Sequence, residues 1–205
     1  MRRSGILVPL LALGVAACGG PRPMVADIPA PPMRGSEAPR PPAWHKPPPP
    51  TVTGPAGPLT VARIDGYMDG LETELRRHVH GVGIVIARQG NNIDVVVQNT
   101  RLFAADGGVN GDDVLEPLAA VLRGYVHTTV QVEGFTDTAG KPEQNLAVSQ
   151  KRAQRIADAL AHEGVPGNRL SVQGFGETRL RVATGDDKNE PRNRRIEFLI
   201  KAKPG

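Results

Sequence analysis

One acidic and one basic side chain, Asp137 and Arg152, are the residues best placed to bind a small charged molecule. Asp137 follows a β-rich run, 128–133, in a glycine-bounded turn, and Pro142 suits the first position of the helix that carries Arg152. Asn145 lies on the same helical face as Arg152, about 10 Å away along the axis. A carboxylate and a guanidinium facing one pocket suit a zwitterion, because they bind its ammonium and its carboxylate respectively. The alternative is an ordinary surface ion pair, which would contribute little.

Short motifs on both sides of this pair occur in a fixed order along the chain. They are Gly-Phe-Thr-Asp at 134–137, Gly140, Asn145, Val-Ser at 148–149, Arg-Ala at 152–153, Gly-Phe-Gly-Glu at 174–177 and Asn-Arg-Arg at 193–195. Together they resemble the OmpA C-terminal domain family, whose members include peptidoglycan-associated lipoproteins and flagellar motor stator proteins. The resemblance covers about residues 80–203, and it is specific because several motifs occur together at family spacing.

The resemblance implies non-covalent binding of peptidoglycan through the diaminopimelate side chain of its stem peptide. Asp137 and Arg152 match the two ligand-holding positions, and Asn145 matches a supporting one. Thr136 and Asp106 match residues near the rim of the pocket. Diaminopimelate carries an amine and a carboxylate at its free end, which agrees with the zwitterion predicted from the residues. The side chains depart from the family pattern at three positions near the pocket, namely Phe135, Ala139 and Gly108.

The first residues have the composition of a targeting segment. An apolar run, 6–15, follows two arginines and is too short to span a bilayer. Residues 15–18 resemble a bacterial lipobox, which implies that 1–17 are a signal peptide and that Cys18 is acylated. Gly19 in place of an aspartate implies export to the outer membrane, where several acyl chains anchor a protein stably with its domain facing the periplasm. The alternative is a plain signal peptide with an incidental cysteine.

Residues 18–58 are predicted to form a disordered, proline-rich linker. Fourteen of the twenty prolines lie between positions 21 and 58, so this segment cannot bury a core. At about 3.1 Å per residue, that stretch reaches roughly 120 Å at most. Residues 59–80 are predicted to form an accessory amphipathic helix. Its inward side carries apolar residues at helical spacing, namely Ile64, Met68, Leu71 and Leu75.

The rest of the chain, 81–205, is predicted to be an α+β domain. Strands are expected at 82–88, 93–98, 126–133, 169–173 and 194–201, and helices at 112–124 and 142–163. Asp112 is expected to cap the first of these helices, and Gly-Phe-Gly at 174–176 to form a turn before a polar loop, 178–191. The resemblance implies an OmpA-like β-α-β-α-β sandwich, a mixed sheet with helices packed on one side.

Composition and charge argue against several classes of function. Residues 59–205 hold nineteen basic and nineteen acidic side chains, so no nucleic-acid surface is predicted. Cys18 is the only cysteine and the five histidines are scattered, so neither a metal site nor a cofactor is expected. No nucleophile beside a histidine is evident, so the chain is predicted not to be an enzyme.

A second function stays open beside peptidoglycan binding. The chain would then be an envelope adaptor that mainly binds another envelope or secretion-system protein. Its partner surface would be the helix at 59–80 together with Trp44. The arginines at 193–195 are expected to pair with local carboxylates rather than with the ligand.

Overall fold

The structure is a computed structural model that describes residues 50–204. Its longer elements are α1 Ile64–His78, β1 Ile84–Gln89, β2 Asn92–Gln98, α2 Asp112–Gly124, β3 Thr128–Phe135, α3 Pro142–His162, β4 Leu170–Gly176 and β5 Arg195–Ala202. Within this part of the chain, no helix has the length and apolarity that a membrane crossing requires. The predicted signal peptide 1–17, the acylated Cys18 and Trp44 lie outside the described residues.

The five strands form one mixed sheet in the order β1-β2-β5-β3-β4. Only the β3–β4 pairing is parallel, and α3 supplies the crossover that a parallel pair requires. Alternate residues of β2, β3 and β5 are fully buried and join the apolar faces of the helices in one core, among them Val95, Val132 and Phe198. The predicted α+β fold, with a mixed sheet and helices on one side, is confirmed.

Helix α1 is part of the core rather than an accessory element. The side chains of Met68, Leu71 and Leu75 are fully buried, and they pack in the same cluster as the strands. The helix ends at His78, earlier than the predicted boundary, because Val79 is already extended. The inward-facing residues were thus predictable from their spacing.

The end of the predicted linker also lies against the domain. Val52 packs on the core, and its carbonyl oxygen approaches α2 so closely that a Cβ atom on Gly124 would lie 2.4 Å away. Leu59 is only 2% exposed. The predicted boundary at residue 58 is therefore too late, since residues 50–58 already follow the surface of the domain.

The prediction of a turn at 174–176 is wrong, because these residues continue β4 beside β3. A Cβ atom on Gly174 would lie 2.5 Å from the backbone nitrogen of Gln150 in α3. A Cβ atom on Gly134, in β3, would lie 2.2 Å from the carbonyl oxygen of Ser149. These glycines therefore allow α3 to approach the sheet closely. Their role is packing rather than chain reversal.

Helix α2 is held at its two ends by groups that the sequence did not reveal. Gly111 takes the N-cap position predicted for Asp112, which instead begins the helix, where a carboxylate favours the positive end of the dipole. At the other end the buried Arg169 donates hydrogen bonds to the carbonyl oxygens of Leu122, at 2.9 Å, and Tyr125, at 2.8 Å. This arginine fixes the junction of α2 with β3.

Three carboxylates share the face of the sheet that points away from the helices. Glu133 in β3 lies directly opposite Glu197 in β5, and Asp94 is on neighbouring β2. Burial raises the pKa of Glu133, and Glu197 raises it further, while Arg179 acts in the opposite direction. Burial and Glu197 also raise the pKa of Asp94. The folded protein therefore binds protons on this face more readily than the unfolded chain does.

We expect Glu133→Gln to raise the free energy of unfolding by about 0.2–1 kcal/mol near neutral pH, because like charges opposite each other on a sheet repel. The repulsion requires a charged Glu133, and the pKa of Glu133 is raised in the folded protein. The loss of stability is therefore largest above this raised pKa, and it disappears as the pH falls below the ordinary value of 4.5. Urea unfolding at about pH 7 and about pH 4 should therefore show a gain only at the higher pH. Equal stability of the two proteins at both values would contradict this account.

Candidate ligand-binding site

The loop after β3 carries Asp137, and hydrogen bonds join it to the late loop, 178–191. The hydroxyl of Thr138 donates to the carbonyl oxygen of Gly185 at 2.8 Å and accepts from the backbone N–H of Lys188 at 3.0 Å. The backbone N–H of Gly140 donates to the Asp187 carboxylate at 3.2 Å. The late loop, predicted only as a polar connection, therefore forms one wall of the site.

Asp137 is almost completely buried, with 5% of its surface exposed. Its Oδ2 atom accepts hydrogen bonds from Arg194 Nη1 at 2.5 Å and from the backbone N–H of Glu190 at 3.1 Å. Its other oxygen, Oδ1, accepts no hydrogen bond from any residue in the range 50–204. One half of the carboxylate is thus engaged by the protein, and the other half is available to a ligand.

Arg152 is half-buried on α3 and lies over the ring of Phe103, 5.9 Å from the guanidinium carbon to the ring centroid. Burial lowers the pKa of Arg152, and Arg194 lowers it further, whereas Asp137 raises it. The charges of these three groups therefore act within one region. Among the described residues, no carboxylate lies within 4.0 Å of the Arg152 guanidinium. Asp137 and Arg152 therefore interact electrostatically without forming a direct ion pair.

Asn145 holds the loop that carries Asp137. Its side-chain N–H group donates to the carbonyl oxygens of Ala139, at 3.1 Å, and Asp137, at 3.3 Å. It also donates to the Glu177 carboxylate at 2.6 Å, just beyond the end of β4. Only 9% of Asn145 is exposed. This geometry agrees with a supporting position rather than a direct contact with ligand.

The two residues predicted near the rim lie in different surroundings. Thr136 is 2% exposed, and its hydroxyl is buried without a partner among residues 50–204. It therefore belongs to the interior beneath Asp137, not to the rim. Asp106 is exposed and accepts the backbone N–H of Gly108 at 2.9 Å. Its loop lies beside α3, because Arg155 donates to the carbonyl oxygen of Gly107 at 2.7 Å.

Arg194 is the member of the site that the sequence interpretation missed. Its neighbour Arg195 pairs with Glu197 at 2.6 Å and stacks on the ring of Phe135, as expected of a structural arginine. The carboxylate that pairs with Arg194, however, is Asp137 itself. Only the sheet order could have revealed this contact. Arg194 directly precedes β5, and β5 lies next to β3 in the sheet although the two strands are far apart in sequence.

The geometry suits binding of a small group that carries both charges. Asp137 Oδ1 can accept a hydrogen bond from an ammonium, and the guanidinium groups of Arg152 and Arg194 can donate to a carboxylate. Over residues 50–204, no three histidine, cysteine or acidic side chains are grouped so that they could hold a metal ion.

Comparison with known proteins places these residues in a recognised segment. A model of the OmpA family matches residues 110–194, which include Asp137, Asn145, Arg152 and Arg194. The "Probable lipoprotein YiaD" of Escherichia coli is 33% identical over 137 residues, 65% of this chain and 63% of the relative. The "Peptidoglycan-associated lipoprotein" of Pasteurella multocida is 35% identical over 100 residues, 47% of this chain and 67% of the relative.

Solved structures share the fold. "The structure of the cell wall anchor of the T6SS from Pseudomonas aeruginosa" superimposes with a TM-score of 0.56 at 25% sequence identity. The match covers 65% of this chain and 97% of that structure. The chain spans under two thirds of the E. coli lipoprotein, at 63%, and only 24% of an outer membrane protein from Gluconacetobacter diazotrophicus that is 36% identical over 89 residues.

Proposed function

Because this chain belongs to the OmpA family, we propose that it binds peptidoglycan without covalent bonds and thereby tethers the outer membrane to the cell wall. One observation carries the proposal. Within residues 50–204, a buried carboxylate on Asp137 has one oxygen without a hydrogen bond, and it interacts electrostatically with Arg152, which has no carboxylate within 4.0 Å. A relative of this chain is named for its association with peptidoglycan.

The diaminopimelate side chain of the stem peptide is the ligand that fits this arrangement. Its ammonium binds Asp137 Oδ1, and its carboxylate binds the guanidinium of Arg152. Two or three charge-assisted hydrogen bonds at about 1.5–3 kcal/mol each give roughly 4–8 kcal/mol. A single site would therefore bind with a dissociation constant of about millimolar to micromolar. This affinity is sufficient for a tether between membrane and wall, because confinement at a membrane raises the effective concentration of the protein and many copies bind one polymer.

The tether itself would be the N-terminal segment. Cleavage after residue 17 leaves Cys18 as the acylated terminus, which anchors the chain in the outer membrane with its domain in the periplasm. The proline-rich segment then spans part of the distance to the wall. The names of the E. coli and Pasteurella relatives, both lipoproteins, support this location. The role is one of binding, without catalysis and without a cofactor.

Cosedimentation with purified sacculi tests the proposal. The soluble chain that begins at Gly19 is mixed with sacculi whose stem peptides contain diaminopimelate, or with sacculi that contain lysine instead. We expect the protein to pellet with the first and to stay largely in the supernatant with the second, because lysine lacks the carboxylate that Arg152 binds. Failure to pellet with either, or equal pelleting with both, would contradict diaminopimelate recognition.

A second candidate function is that of an envelope adaptor, with the wall contact as its fixed end. The similarity to the cell wall anchor from Pseudomonas aeruginosa favours it. The buried side of α1 serves the core, so the surface left for a partner is the exposed side of that helix, which includes Asp65 and Arg77. A stoichiometric protein that is recovered with the chain from detergent-solubilised envelopes would support this role, and its absence would argue against it.

A further inference from the structure

We propose that Arg194 determines the ligand specificity of this site, by binding the ligand's carboxylate together with Arg152 and by excluding ligands that carry only an amine. The inference rests on the proposed function, since it concerns the same site. It assigns a role in recognition to a residue that would otherwise be considered only a structural partner of Asp137.

The hydrogen-bonding capacity of Arg194 is only partly used. Its Nη1 group donates to Asp137 Oδ2 and to Asn189 Oδ1, both at 2.5 Å. A guanidinium has five N–H donors, and the Nε and Nη2 groups of Arg194 contact no acceptor in the described part of the chain. The side chain is 29% exposed, so part of it is open to solvent. They are suited to an acceptor that carries negative charge.

The charge balance of the site also calls for an anion. Arg152 and Arg194 contribute two positive charges, and Asp137 contributes one negative charge. Arg155 adds a further positive charge that acts on Arg152. The mutual repulsion of the two arginines is expressed in the lowered pKa of Arg152, to which Arg194 contributes after burial. A ligand carboxylate relieves this repulsion, whereas a lone ammonium meets a positive field.

The carboxylate of Glu190, which lies close to Asp137 in the late loop, is itself paired with an arginine. Glu190 forms hydrogen bonds with Arg192 through both of its oxygens, at 2.9 and 2.7 Å. Among residues 50–204, Asp137 is therefore the carboxylate within ion-pair distance of Arg194.

The main chain holds Arg194 in position for this role. Its carbonyl oxygen accepts the backbone N–H of Asn99, beyond the end of β2, at 3.0 Å, and its own N–H donates to Pro191 at 3.1 Å. The residue therefore enters β5 with both of its backbone groups bonded. Because the backbone is fixed, only the side chain has to adjust when a ligand binds, and little conformational entropy is lost.

Calorimetric titration with two tripeptides tests the inference. One is L-Ala-γ-D-Glu-meso-diaminopimelate, and the other has L-lysine in place of diaminopimelate, so the pair differs by one carboxylate. Wild-type protein should prefer the first by about tenfold or more, the value of a charge-assisted hydrogen bond. Arg194→Gln, which keeps an amide donor but no charge, should reduce this preference by about tenfold. Arg77→Gln, exposed on α1, makes the same charge change away from these groups and should leave the preference unaltered.

The outcomes separate this inference from the proposed function. If wild-type protein binds neither peptide, or shows no preference, the proposed function fails and this inference with it. If wild-type protein shows the preference and Arg194→Gln keeps it, the role of Arg194 alone is overturned. Arg194→Lys gives an independent check, since it keeps the charge and should keep most of the preference. If Arg194→Lys lost as much of the preference as Arg194→Gln, the charge of Arg194 would not be the cause of the preference.

Discussion

Asp137→Ala and Arg152→Ala should each weaken binding to sacculi by about 10- to 150-fold, because each removes charge-assisted hydrogen bonds worth about 1.5–3 kcal/mol. Cosedimentation over a range of sacculus concentrations measures the change. Asp158→Ala and Lys151→Ala are matched controls, since both residues are exposed on α3 and carry the same charges. Pelleting of all four variants at the wild-type level would remove this pair from the site.

The two variants should differ in their stability, which distinguishes loss of binding from loss of fold. Asp137→Ala leaves the backbone N–H of Glu190 without its acceptor and removes the ion pair with Arg194, so the free energy of unfolding should fall by about 1–3 kcal/mol. Arg152→Ala breaks no ion pair with any residue in the range 50–204 and should change stability little. A large loss of binding in Arg152→Ala, with an unchanged unfolding curve, is therefore the clearest sign of a ligand contact.

Gly134→Ala should destabilise the fold by about 3 kcal/mol or more. Overpacking a well-packed interior costs about 1–3 kcal/mol, and here the added Cβ atom would meet backbone atoms, which cannot move aside as a side chain can. Its Cβ atom would lie 2.2 Å from the carbonyl oxygen of Ser149 and 2.9 Å from the carbonyl carbon, so α3 would have to move away from the sheet. Arg152 moves with that helix, and binding should fall as well. Guanidinium unfolding measures the first effect and cosedimentation the second.

Gly66→Ala is the matched control for this substitution. Gly66 lies within α1, and a Cβ atom there would meet no atom within 4 Å. Alanine at such a helical position should raise stability by about 0.5–1 kcal/mol. Similar stability of the two alanine variants would contradict the view that α3 is packed onto the sheet through its glycines.

Local patterns predicted most of the elements of this fold. The apolar spacing of α3 gave its buried side, and Pro142 gave its first residue. Gly90, with a φ of 58°, stands in the tight turn between β1 and β2. The glycines at 174 and 176 misled the prediction, because glycine is required both in turns and where a helix approaches a strand. Only the distance to α3 distinguishes these two causes.

The candidate site was predictable only as far as its residues are close in sequence. Asp137, Asn145 and Arg152 lie on one strand–loop–helix unit, so their spacing brings them together. Arg194 reaches Asp137 from β5, and that contact depends on the position of β5 beside β3. The contacts of the late loop with Thr138 likewise join residues that are far apart in sequence. Contacts between residues that are far apart in sequence could therefore not be predicted from the sequence.

The crystal structure of the domain with a bound diaminopimelate peptide tests the central claim most directly. We predict the side-chain ammonium of the ligand at about 2.7–3.2 Å from Asp137 Oδ1 and its carboxylate at a similar distance from the guanidinium of Arg152. A ligand seated elsewhere on the domain, with these two side chains arranged as they are without ligand, would contradict it.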